Sequence, residues 1–132
     1  MSHELALQKA LITHLKADAA VQALIGDRIW DVAPSSPSYP HLLIGRSESR
    51  PVAADGGGME HLLTLTIVSR FQGAEEAKAA LAAVRLRLTD AEPEADGLRI
   101  VSLGVRFSDV WRSPTGPRTY AVLRVRAVTE DI

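Results

Sequence analysis

Two stretches of strict alternation constrain this chain most. From Met59 to Phe71, Leu63, Leu65 and Ile67 point one way and Thr64 and Thr66 the other. From Arg118 to Thr129, Ala121, Leu123, Val125 and Ala127 share one face, while Tyr120, Val122, Arg124 and Arg126 share the opposite one. A period of two places successive side chains on opposite faces of a strand, so each stretch reads as a strand buried on one side. Such strands need a covering layer, and the sequence offers amphipathic helices for it.

The first helix runs from about Glu4 to Ala17. At 100° per residue, Leu5, Leu7, Leu11, Ile12 and Leu15 form one broad stripe, with Lys9, Thr13 and Lys16 off it. Ser2 caps its start, Asp18 caps a short second helix through Leu24, and Gly26 supplies a left-handed stop. A short strand follows over Arg28–Val32, then a Pro/Ser loop, then a strand from His41 to Arg46 that continues toward Arg50. Pro51 to Gly58 reads as a loop. A second long helix covers Ala74 to Leu88, and a strand with Gly104 as its bend or bulge covers Leu98 to Trp111. The expected fold is α+β, a mainly antiparallel sheet with two long helices packed on one face, in a single domain over 1–132. The other sheet face is left for water or for another subunit.

Composition closes off chemistry more than it suggests any. The 132 residues carry a net charge of −1 and no cysteine, so thiolate chemistry and bulk attraction to nucleic acid or membranes have no basis. His3, His14, His41 and His61 show no metal-ligand spacing. His61 beside Glu60 reads as a solvated pair. The Gly56–Gly58 run lacks the lysine of a phosphate loop, and no serine sits in a nucleophile elbow. The acids between Asp90 and Asp96 lack the order of a calcium loop. No catalytic residue, cofactor or metal is expected.

Surfaces are the more informative part. In the second long helix, Ala77, Leu81, Val84 and Leu88 form the core stripe, and Ala79, Ala82 and Leu86 lie opposite it, flanked by Arg85 and Arg87. A second small-residue face lets another backbone approach, which makes these five residues a candidate subunit interface. The competing account is that alanine is simply a strong helix former. The loop residues Arg50, Val52, Asp55, Gly56, Gly57 and Gly58 are a candidate docking loop or, alternatively, slack in a hairpin. Arg118, Arg124 and Arg126, with Arg106 and Arg112, could form a basic stripe that meets DNA phosphate or pairs with a neighbour's acids between Asp90 and Asp96. Twelve arginines against three lysines fit interface use, as they fit a GC-rich genome.

The order LQKALITHLKADAAVQALIGDRIWDVAP, then YPHLLIG, EHLLTLTIVSR, a helix, LRIVSL and YAVLRVRAVTE resembles the tail-completion or tail terminator proteins of tailed phages, prophages and gene transfer agents. The motifs are Gly26 with Ile29 and Asp31, the Tyr39–Pro40 pair before a strand, and Ser69–Arg70 ending one. The resemblance implies a homo-hexameric ring that caps the tail tube, stops its polymerisation and offers the head-side joining surface. Its partners would be itself, the tail tube protein and a head-side connector protein, with DNA only as passing cargo and no membrane. Assembly would take place in the bacterial cytoplasm and the product would be part of the particle tail. A small α+β ligand-binding or regulatory domain is the alternative. A hydrolase or isomerase lacks any acid–base constellation here.

Overall fold

The structure is a computed structural model that describes residues 2–52 and 57–132. The helices are α1 (His3–Lys16), α2 (Ala19–Leu24) and α3 (Glu75–Leu88). The strands are β1 (Ile29–Trp30), β2 (His41–Pro51), β3 (Met59–Ser69), β4 (Leu98–Arg112) and β5 (Thr119–Asp131). The strand order is β1-β2-β3-β5-β4, with β1 parallel to β2 and every other pairing antiparallel. All three helices lie on one face, so the α+β architecture is as expected, the short α2 after Asp18 included.

Local signals explain the element ends. Ser2 Oγ accepts from Leu5 N at 3.0 Å and Asp18 accepts from Val21 N at 3.1 Å, each satisfying an orphan amide of a first turn. Gly26 takes φ +65 and ends α2, a conformation a Cβ disfavours. Nothing caps α3 through a side chain at Ala74. Ser69 instead donates to Glu76 at 2.8 Å and accepts from Phe71 N, tying the end of β3 to the first turn of α3.

The core lies between the layers. Leu7, Leu11 and Leu15 from α1 and Ala77, Ala80, Leu81, Val84 and Leu88 from α3 meet Leu63, Leu65, Ile67, Ala121, Leu123, Val125 and Ala127 from the two central strands. Leu5 does not join them. It is 49% exposed, because it sits at the edge of the stripe in the first turn.

Two other expectations change. β1 is only two residues long. The irregularities of β4 fall on either side of Gly104, between Ile100 and Ser102 and between Val105 and Phe107, whereas Gly104 itself pairs in register with Arg126. The inserted residues are therefore Val101 and Arg106. A bulge re-aims the side chains around it, and each of these two helps to build a surface.

Candidate assembly surfaces

The first surface is the outer side of α3. Ala79, Ala82 and Leu86 are all exposed, and Leu86 is 78% so. Arg85 bonds Ser108 Oγ at 3.0 Å, and Arg87 donates through Nε to His14 O at 2.9 Å. The two arginines are thus turned back onto the molecule on either flank, leaving the alanines and Leu86 open. Beside Leu86 a shallow depression is lined by His14, Asp18, Ala83, Thr89 and Ala91.

The second surface is the sheet face turned away from the helices. The even-numbered residues of β3 and β5 lie here, and alternation puts Glu60 on this side and His61 on the other. The expected solvated Glu60–His61 pair does not exist. His61 is fully buried under the start of α1, and Glu60 is clasped by Arg50 Nε at 2.7 Å and Arg126 Nε at 2.6 Å. The guanidinium of Arg126, followed by that of Arg50, holds the Glu60 carboxyl below the usual carboxylate range. Both arginines use Nε for this contact and line an open cleft of about 550 Å³, together with Leu62, Arg106, Phe107 and Arg124. The bulge explains how the neighbours Arg106 and Phe107 both reach the cleft. Further along the same face Trp111 stacks on Tyr120 at 5.5 Å.

The expected arginine stripe is divided. Arg124 and Arg126 share the cleft, with Arg106. Arg118 lies at the far end of β5, over the ring of Tyr39 at 5.7 Å, and Arg112 donates to Thr119 Oγ1 on the helix side. Arg70 covers Tyr39 as well, at 5.3 Å, next to the cis Tyr39–Pro40 bond. Two of the sequence motifs, Tyr39–Pro40 and Ser69–Arg70, therefore meet in space.

The third surface is the β2–β3 hairpin. Asp55 and Gly56 lie outside the described residues. Of the rest of the candidate loop, Arg50 belongs to β2 and to the Glu60 clasp, and Val52 N bonds Gly58 O at 3.0 Å. Gly57 and Gly58 are not slack. Gly58 is buried, and Gly57 has φ +72 with Asp131 Oδ2 only 2.7 Å from where a Cβ would stand.

Beneath the start of α1 the fold brings together residues that sequence spacing left apart. His61 Nε2 and His3 Nδ1 both lie 2.8 Å from Thr129 Oγ1, and His3 Nε2 lies 3.1 Å from Asp131. Among the described residues His61 Nδ1 is buried with no partner. An unpaired buried N–H is costly, which assigns the proton to Nε2. The chain of donors then runs from His61 to Thr129, from Thr129 to His3, and from His3 to Asp131. Burial pushes the His61 pKa below its ordinary value, against a weaker upward pull from Glu4. Among the described residues no group of three His, Cys, Asp or Glu side chains is arranged to hold a metal ion. No helix there is long and apolar enough to cross a membrane.

The model of the family "Tail completion protein gp17" matches residues 9–130. The chain belongs to that family. Membership gives it a structural role in a phage-type tail. A chain of the virion of a native gene transfer agent particle superposes with a TM-score of 0.88 at 28% identity, over 98% of this chain and 99% of that one. Another solved structure, 18% identical over 100% of this chain and 97% of that one, gives a TM-score of 0.58 and shares the fold alone. No curated protein matches the chain. The three sequence motifs of the family have structural roles here: the stop at Gly26 ahead of buried Ile29, the cis turn before β2, and the Ser69 tie between β3 and α3.

Proposed function

We propose that this protein is the tail terminator of a phage-like particle. Copies would join head to tail into a ring, six by the expectation from the resemblance, on the last tube ring. There the ring stops polymerisation and presents the surface to which the head-side connector joins. DNA passes through without being read, and no catalysis or cofactor is part of the role. The observation that carries this reading is the end-to-end likeness to a chain of a gene transfer agent virion, with nearly all of both chains matched.

Two features of the molecule support a ring. A ring of heterologous contacts needs two different surfaces on each copy. The outer side of α3, with Ala79, Ala82 and Leu86 between Arg85 and Arg87, offers one. The open sheet face offers the other, since Phe107 and Trp111 are exposed on it at 58% and 43%, more apolar area than a solvated sheet face needs. The β2–β3 hairpin, with Arg50, Val52, Gly57 and Gly58 at its described base, is the proposed contact with the tube. Assembly would take place in the bacterial cytoplasm, with the ring retained in the particle tail.

Deletion of the gene in its source, followed by electron microscopy of the tails, tests this role. Over-long or headless tubes that are restored by supplying the chain establish a terminator. Tails of normal length on joined heads remove that role and bring a ligand-binding α+β domain forward.

A further inference from the structure

The basic cleft on the open sheet face has an acidic counterpart on the same chain. Between α3 and β4, Asp90, Glu92, Glu94 and Asp96 are all exposed. The segment is a fixed lip, because Pro93 is buried between the two glutamates and Ala95 bridges to Leu98. Its apolar floor includes Leu98, Ile100 and Val101, and the β4 bulge leaves Val101 51% exposed. Arg99, which lines the same surface, is paired with Glu130, so it leaves the lip its negative charge.

The cleft mirrors this surface. It gathers four guanidiniums, of Arg50, Arg106, Arg124 and Arg126, against the single carboxylate of Glu60, with Phe107 and Leu62 as its apolar part. Among the described residues Arg106 and Arg124 have no carboxylate partner. An acid–apolar lip and a basic–apolar cleft on one chain of net charge −1 are complementary between copies. The lip is also continuous with the outer side of α3: Ala91 lines the depression beside Leu86, one residue before Glu92.

We infer that the cleft receives the acidic lip of a second copy of this chain, Glu92 and Glu94 meeting Arg106 and Arg124, while Leu86 and Val101 cover Phe107. This rests on the ring reading and names its contact: the helix-side edge of one copy against the sheet face of the next. A DNA strand fits the cleft less well. Glu60 is part of its lining and would repel phosphate, whereas a lip with separate carboxylates can pass on either side of it. Exposed ion pairs are individually weak, so the contact depends on several acting together with the apolar cover.

Charge reversal in trans tests this contact. R106E/R124E alters only the cleft and E92R/E94R alters only the lip, all four at exposed positions, so each variant should melt like the unaltered chain. Each alone is expected to lose self-association in concentrated low-salt solution and to fail to rescue tails in the deletion strain. Mixed or co-expressed, they should recover both, because each variant's lip then suits the other's cleft. Undiminished association by either variant alone overturns the inference, as does failure of the mixture. So does an unaltered chain that neither associates in solution nor crosslinks to itself in particles. Loss of salt-sensitive double-stranded DNA binding by R106E/R124E, with no recovery in the mixture, reassigns the cleft to DNA. Normal tails in the deletion strain remove the terminator role, whereas recovery of association by purified chains is read independently of it.

Discussion

Leu86→Glu separates assembly from folding in one substitution. Leu86 is 78% exposed on α3, so its removal opens no cavity in the monomer. Leucine and glutamate have similar helix propensities, and an exposed substitution of this kind changes stability by about 0.5 kcal/mol or less. For a chain of this size that is about 2 °C in Tm. A carboxylate in the last turn also meets the negative end of the helix dipole, adding roughly 0.3–1 kcal/mol of cost. The two together keep the expected loss below about 1.5 kcal/mol. The contact behaves differently. Covering a leucine completely is worth about 1.5–3 kcal/mol, so covering the exposed part of Leu86 contributes roughly 1–2 kcal/mol, about tenfold in the affinity of each contact. Burying an unpaired carboxylate there costs several kcal/mol more. Leu86→Ala should therefore weaken association by about tenfold, and Leu86→Glu should abolish it while the circular dichroism melt shifts by only a few degrees. Association is read by sedimentation and by rescue of tail length. Full rescue by Leu86→Glu would refute the use of this helix face. A collapse of the melt would refute the claim that Leu86 does nothing for the monomer.

Three further outcomes concern the monomer itself. Leu65→Ala, at a fully buried position on central β3, should cost about 2–5 kcal/mol, seen as a lower urea midpoint with an unchanged slope. Gly57→Ala places a Cβ at φ +72 against Asp131 and should lose about 1–2 kcal/mol, whereas Gly116→Ala, with open space around it, should lose far less. Stability should also fall with acid. The folded pKa of His61 is depressed from 6.5 by burial, so the unfolded chain takes its proton first. That stability is complete above 6.5 and is lost as the pH falls through the folded value, with Glu4, held low by Ser49, adding a second loss below 4.5. Melting across this range should show the decline, and His61→Gln should remove its upper part.

The sequence carried the strand faces and the helix caps because both are local patterns. It also carried the burial of His61, since 61, 63, 65 and 67 share a parity. The adjacent Glu60 drew attention to a pairing that alternation forbids. The clasp on Glu60 joins residues 10 and 66 positions away, and Thr129 reaches His3 across 126. No spacing rule sees such contacts. β4 was the hardest strand to read because two insertions, one on each side of Gly104, shift its alternation twice. A single glycine in the middle attracted the irregularity that belongs to Val101 and Arg106.

Those two insertions bear on assembly directly. Without them β4 would present a regular edge of fifteen residues, a ready template for unlimited strand pairing. The bulges break that edge and turn Val101 toward the acidic lip and Arg106 toward the basic cleft. A terminator of the kind proposed would need to suppress edge-to-edge pairing and to keep a contact of defined geometry. The helix and sheet layers face opposite ways in this fold, so a contact from the end of α3 to the open sheet face runs head to tail. In the proposed ring, closure by rotation would limit the number of copies, and charge complementarity would set the register in which they meet.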